Sequence, residues 1–189
     1  MFIQTEPTPN PQTLKFIPGV TVMPEGVADF RTAEDATASP LAERLFAVDG
    51  VEGIYLGLDF VSVSKHENFE WHHIKPAILG IIMEHFTAGL PVMKAGAEAP
   101  QASGHAAAGE ADSEVVAQIV ELLDTRVRPA VAQDGGDIVF HGFDEGVVYL
   151  AMQGACSGCP SSTMTLKHGI ENLLRHYVPE VEEVRAVGM

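Results

Sequence analysis

The chain has 189 residues, 46% of them hydrophobic, and a formal net charge of −15, which suits one large or two small globular domains with genuine cores. Such acidity argues against nucleic acid, whose phosphates it would repel, and against anionic membrane surfaces. The richest apolar run, Ile78 to Met83, is far short of the ~20 residues of a membrane-spanning helix.

Met1 to Pro7 lacks the basic start of a signal peptide and the Arg-rich, acid-poor character of a transit peptide. A bacterial cytoplasm is therefore expected, with a mature mitochondrial matrix protein as the alternative. The first elements are strands at Phe2–Gln4 and Thr13–Ile17, around a Pro-rich turn from Glu6 to Pro11. Ser39 can cap a short helix through Leu41, Leu45 and Phe46, with Pro40 at its first position. Asp49-Gly50 ends it. Strands at Val51–Gly57 and Phe60–Ser64 follow, joined near Leu58-Asp59. Trp71, Ile74, Ile78, Ile81, Ile82 and His85 then recur at helical spacing. Pro76 interrupts that pattern, so the helix is kinked or begins later than Trp71. Trp71 and Phe69 are read as core, and His72-His73 as exposed on the helix surface.

Composition changes at Lys94 to Asp112, which is rich in Ala and Gly and has no aromatic or branched aliphatic residue. Such a segment cannot bury enough apolar surface to offset its ordering entropy. It reads as a flexible linker with a span of roughly 20–25 Å as a random coil. Gly96, Pro100, Gly104 and Gly109 speak against an Ala-rich helix. The expected division is an N-terminal domain at 1–93, a linker at 94–112 and a C-terminal domain at 113–189. Both domains are acidic, with 5 basic against 12 acidic residues in the first and 5 against 11 in the second. Neither half is a nucleic-acid module.

In the C-terminal domain Asp112 or Ser113 is the expected N-cap. Val115, Ile119, Leu122 and Leu123 mark one helical face, which Pro129 and Gly135-Gly136 stop. Strands at Asp137–Phe143 and Val147–Met152 flank a tight turn at Asp144-Glu145-Gly146. A helix from Thr163 to Tyr177 gathers Leu166, Ile170, Leu173, Leu174 and Tyr177 on one face, with Lys167, His168, Glu171 and Arg175 largely away from it. Glu183–Val187 is the last strand. The order α-β-β-α-β and the mixed N-terminal half give an α+β class: two small α/β-sandwich-like domains joined by a flexible Ala/Gly-rich linker.

Between the second strand and the helix stand the only two cysteines, Cys156 and Cys159. Two cysteines are no disulfide framework, so a reducing compartment is expected. Gly154 and Gly158 allow positive φ and close backbone approach, and Pro160 suits the first turn of a helix. The helix N-terminus favours thiolate, so a depressed thiol pKa is expected. Ser157, Ser161, Ser162 and Thr163 add hydroxyl donors. Four readings fit a lone CxxC: incidental cysteines, a thioredoxin-like dithiol, a zinc site and an iron–sulfur site. The α-β-β-α-β order does not match the βαβ pattern of thioredoxins. Zinc and iron–sulfur clusters usually want four strong ligands, and one chain supplies two thiolates. His168 lies on the wrong helical face and His141 has no partner at ligand spacing. Asp134 and Asp137 frame a glycine turn that Asp137 pins, with no catalytic pattern around them.

Arg128 to Ile138, followed by Leu150 through Cys156-Ser-Gly-Cys159 to Ser162, resembles the C-terminal domain of NifU, the Nfu domain. Thr5 to Phe16 resembles the N-terminal domain of Nfu-type iron–sulfur proteins. The resemblance implies a non-enzymatic iron–sulfur scaffold or carrier, with Cys156 and Cys159 as cluster ligands. It implies a [4Fe–4S] cluster, one per homodimer, with [2Fe–2S] as the alternative. Its partners would be upstream cluster donors and client apoproteins, which the N-terminal domain helps to recognise. Two thiolates from each of two chains related by a two-fold axis make up the four cysteines such a cluster takes. The alternative from another class is a thioredoxin-like dithiol–disulfide oxidoreductase; a third reading is a zinc-linked adaptor dimer.

Overall fold

The computed structural model describes residues 2–96, 113–157 and 160–187. The chain divides into two compact units, split between Ala102 and Ser103.

The N-terminal unit carries a five-stranded sheet in the order β1-β2-β5-β4-β3, antiparallel throughout. Its strands are β1 (Gln4–Pro7), β2 (Thr13–Ile17), β3 (Ala28–Phe30), β4 (Val51–Leu56) and β5 (Val61–Lys65). Two helices, α1 (Pro40–Phe46) and α2 (Trp71–Thr87), pack with it. Phe16, Phe30, Leu41, Leu45, Ile54, Leu56, Ile78 and Ile82 are fully buried between them. The first strand starts at Gln4, and Phe2 stands 80% exposed. Strand β3 has no counterpart in the sequence expectation. It is three residues long, too short for a period-2 pattern to register.

Ser39 caps α1 as expected, its Oγ accepting from the Ala42 N–H at 3.1 Å. The same hydroxyl donates to the Val92 carbonyl, and the Lys94 N–H donates to the Ala38 carbonyl at 2.9 Å. The segment after α2 therefore returns across the start of α1, and the N-terminal unit reaches at least Lys94. Most of the expected linker, residues 97–112, lies outside the described residues, including the candidate cap Asp112. Helix α2 begins at Trp71, not later, and runs on through Pro76. Trp71 packs half-buried against the core, and its Nε1–H donates to the Pro11 carbonyl at 3.1 Å, tying the Pro-rich turn to the helix. Phe69 is not core: it is 36% exposed. His72 and His73 are exposed as expected.

The C-terminal unit starts with α3 (Ser113–Leu122), so Ser113 is its first helical residue. Pro129 does not stop the helical course. A π turn over Leu123–Val127 leads straight into α4 (Arg128–Gln133). The Arg128 N–H reaches back five residues to the Leu123 carbonyl, and that widened turn lets a proline follow without ending the helix. Then come β6 (Gly136–Asp144), β7 (Val147–Gly154), α5 (Pro160–Tyr177) and β8 (Glu183–Ala186). The hairpin turns at Glu145-Gly146, both with positive φ (45° and 81°), the conformation of a two-residue I′ turn.

The sheet order is β6-β7-β8. β7 runs antiparallel to β6 and parallel to β8, so β7–α5–β8 is a parallel crossover: the cysteine loop lies within a βαβ unit, contrary to the expectation from element order that no such pattern surrounds it. Ile138, Phe140, Val148, Leu150 and Val184 form one apolar cluster with Ile119, Leu123, Val131, Ile170 and Leu174. Tyr177 leaves the expected helix face and is 46% exposed. The buried stripe of α5 runs Ile170–Leu174 and on to Val178 instead. Glu171 is a structural residue, its carboxylate accepting from the Val184 N–H of β8 at 3.1 Å.

Candidate metal centre

The candidate centre lies at the corner where β7 hands over to α5. Gly154 ends β7 with φ 59°, a left-handed conformation that glycine adopts without a Cβ penalty. The loop then folds on itself through backbone bonds. Ala155 N–H donates to Gly135, Cys156 N–H to Gln153 and Ser157 N–H to Gly154, at 3.2, 3.2 and 3.1 Å. The Ser157 hydroxyl donates to the Gly154 carbonyl at 2.8 Å. The Thr163 hydroxyl donates to the Cys156 carbonyl at 3.1 Å, joining the first turn of α5 to the loop. Two of the expected hydroxyl donors thus bond backbone carbonyls of the loop. Gly158 and Cys159 lie outside the described residues, as do the side chains of Pro160, Ser161 and Ser162.

Cys156 is 7% exposed and belongs to the apolar core of its unit. Its thiol pKa is pushed up to about 12, first by burial and then by the charges of Asp134 and Asp137. The expected depression is thus reversed. The helix dipole acts only within about a turn of the helix end, whereas Cys156 precedes α5 and sits in apolar surroundings beside two carboxylates. In the free chain this cysteine is a thiol at neutral pH, and binding a metal must release its proton.

Gly135 and Gly136, read from sequence as a turn, do two different things. Gly135 (φ 78°) makes the turn. Gly136 makes room: a Cβ there would stand 2.6 Å from Cys156 Sγ and 2.6 Å from the Gln153 carbonyl oxygen. Gly136 pairs with Gly154 across the β6–β7 ladder, so two glycines facing each other frame the cysteine. Sequence reasoning passed over Gly136 because a Gly-Gly pair is already explained by the turn.

Behind the corner, Asp137 is 4% exposed. Arg128 grips it with two bonds, Nε to Oδ1 at 2.8 Å and Nη2 to Oδ2 at 2.7 Å. Oδ1 also accepts from the Ile138 N–H at 2.8 Å. Arg128 reaches Asp124 as well, at 3.0 Å. Asp137 therefore pins the turn as expected, and Arg128 is the residue that holds it. Among the described residues no group of three or more His, Cys, Asp and Glu is arranged to hold a metal ion. His141 and His168 are exposed.

Comparison with known proteins covers most of the chain. Residues 3–89 match the family described as scaffold protein Nfu/NifU N terminal, and residues 119–185 match the NifU-like domain. A protein of Drosophila sechellia named NFU1 iron-sulfur cluster scaffold homolog, mitochondrial, is 52% identical over 188 residues, covering 99% of this chain and 65% of its own length. The protein of the same name from Drosophila erecta gives the same figures. The chain thus spans about 65% of the length of these relatives. A NifU-like protein of Saccharomyces cerevisiae solved by NMR is 26% identical, with a TM-score of 0.46 over 50% of this chain and 85% of that one. An Nfu-type N-terminal region followed by a NifU-like region that contains the cysteine corner makes this chain a member of the Nfu family of NifU-like scaffold proteins.

Proposed function

We propose that this chain is an iron–sulfur cluster carrier. Two copies would hold one [4Fe–4S] cluster through Cys156 and Cys159 of each, and pass it to apoproteins by ligand exchange. The observation that carries the reading is the buried thiol of Cys156, framed by Gly136 and Gly154 at the corner of a NifU-like domain. The chain's only other cysteine is three positions on. Four thiolates are the usual complement of such a cluster, and two chains supply them. A cluster shared at an interface is exposed to an acceptor's thiolates when that interface opens, which suits delivery rather than storage. The cluster is cargo, and the chain performs no catalysis on it.

The raised pKa of Cys156 disfavours the thioredoxin-like alternative, which needs a ready thiolate at neutral pH. In this reading residues 113–189 carry the cluster, 94–112 act as tether, and 1–93 meet donors and clients. The return of the chain through Lys94 moves the start of the tether slightly later. The mitochondrial address in the relatives' names supports the matrix alternative, and the bacterial-cytoplasm expectation finds no support there. Among the described residues no helix is long and apolar enough to cross a membrane.

Anaerobic reconstitution with iron and sulfide, read by absorption and Mössbauer spectra and by sedimentation, tests the proposal. The expected result is about one [4Fe–4S] per dimer, absent in Cys156→Ser and in Cys159→Ser. A cluster-loaded monomer would sink it.

A further inference from the structure

The chain has 11 Lys and Arg residues against 26 Asp and Glu, and nearly every cation is spoken for. Lys15, Arg31, Arg44, Lys94, Arg128, Lys167, Arg175 and Arg185 pair with carboxylates. Lys65 and Lys75 donate to Gln12 and Thr5. Among the described residues Arg126 has no such partner. It lies over the Tyr177 ring, 5.1 Å from the centroid, and this stacking leaves the donor edge of its guanidinium unfilled.

Arg126 and Tyr177 line a cleft of about 310 Å³ together with Gln118, Glu121, Leu122 and Thr125. Arg126 stands on the π turn, a type of helix irregularity often found at functional sites. The cleft offers three chemistries side by side. Arg126 presents a fork suited to two parallel bonds from a carboxylate. Glu121 presents an acceptor. Leu122 and the half-exposed Tyr177 ring present an apolar seat. A carboxylate with an N–H donor one carbon away and an apolar side chain between them is the terminus of a polypeptide. A side-chain carboxylate of Asp or Glu has no N–H so close.

We propose that this cleft binds the C-terminal carboxylate of a partner protein whose last residue is apolar. Arg126 takes the carboxylate, Glu121 accepts the terminal N–H, and Leu122 with Tyr177 seats the side chain. The cleft lies at the Tyr177 end of α5, while the cysteine corner lies at the Pro160 end. An 18-residue helix rising 1.5 Å per residue separates the two by about 25 Å. A partner can hold on here without covering the cysteines, and the inference does not rest on the cluster reading.

The test is a ¹H–¹⁵N NMR titration of the full-length, cluster-free chain with N-acetyl-L-leucine to about 10 mM, the range expected of so small a ligand. Saturable shifts at Thr125, Arg126 and Tyr177 are expected. They should weaken roughly tenfold in Arg126→Gln and several-fold in Glu121→Gln, both surface changes whose spectra report the fold directly. N-acetyl-leucinamide, which lacks the carboxylate, should not bind. No saturable shift, or an unchanged response in Arg126→Gln, overturns the proposal. Equal binding of butyrate means a side-chain carboxylate suffices, and equal binding of inorganic phosphate means a general anion site; either result also overturns it.

Discussion

The sulfur of Cys156 occupies the space that a side chain at Gly136 would need: a Cβ there would lie 2.6 Å from Sγ. The two residues are 20 positions apart and meet because β6 and β7 pair with Gly136 opposite Gly154. Gly136→Ala must therefore displace either the thiol or the Gln153 carbonyl, and the backbone cannot yield cheaply. A loss of about 1–3 kcal/mol in folding stability is expected, as for other overpacked cores, together with a large fall in reconstituted cluster. Gly142→Ala on the same strand meets no atom within 4 Å and serves as the control. Urea midpoints and iron content of the two variants check the difference. Equal effects would refute the steric account.

Asp137 and Arg128 form the second support. Arg128→Gln leaves a carboxylate that is only 4% exposed without its fork. Stripping a partner from a fully buried pair costs about 3–5 kcal/mol. Arg128 is about a third exposed, so roughly 2–3 kcal/mol is expected once solvent screening is allowed for. Asp137→Asn acts differently at the cysteine: it removes one of the negative charges that raise the Cys156 pKa. The pH profile of Cys156 alkylation, measured in a Cys159→Ser background, should then move to lower pH. A profile that stays in place would show that the Asp137 charge does not act on the thiol, leaving burial and Asp134 to set it.

Local signals were the legible ones. Ser39 before Pro40, the spacing of Ile74, Ile78 and Ile82, and Glu145-Gly146 between two apolar runs each encode their element within a few residues, and each element formed. What stayed hidden depends on distant pairing. That β8 runs parallel to β7 is decided by where α5 returns the chain. Pro129 reads as a stop unless the π turn before it is known. The CxxC spacing and its flanking glycines identified Cys156 as a candidate ligand, but not the direction of its side chain. The helix N-terminus nearby suggested a thiol of depressed pKa, whereas the fold turns the sulfur inward against Gly136. Arg126 and Tyr177 carry no motif, and only the unfilled guanidinium marks them.

Ser39 joins two elements with one hydroxyl, capping α1 and donating to the Val92 carbonyl. Ser39→Ala should cost about 1–2 kcal/mol, the usual loss for an N-cap. It should also free the segment leading to Lys94. Hydrogen exchange at the Lys94 amide, which bonds Ala38, should rise more than at the core strand β5. Uniform loosening across the unit would mean the hydroxyl acts only as a cap.

Cys156 also sets a pH dependence of stability in the cluster-free protein. Its pKa rises from an ordinary value of 9.0 to about 12 on folding. Between those values the unfolded chain has lost the proton and the folded chain keeps it, so the folded state binds more protons. The stabilisation is whole below pH 9, falls as pH rises through the window, and is gone above about 12. Cys156→Ser removes the titrating group with little change in volume. Denaturant midpoints of the parent chain should drop faster from pH 8.5 to 10.5 than those of Cys156→Ser. Cluster loading runs the other way, since each bound thiolate gives up a proton and acid opposes it. Reconstitution yield should therefore increase with pH over the range in which apo stability still holds, below about pH 9. Parallel midpoints for the two proteins would mean that Cys156 ionises normally in the folded chain.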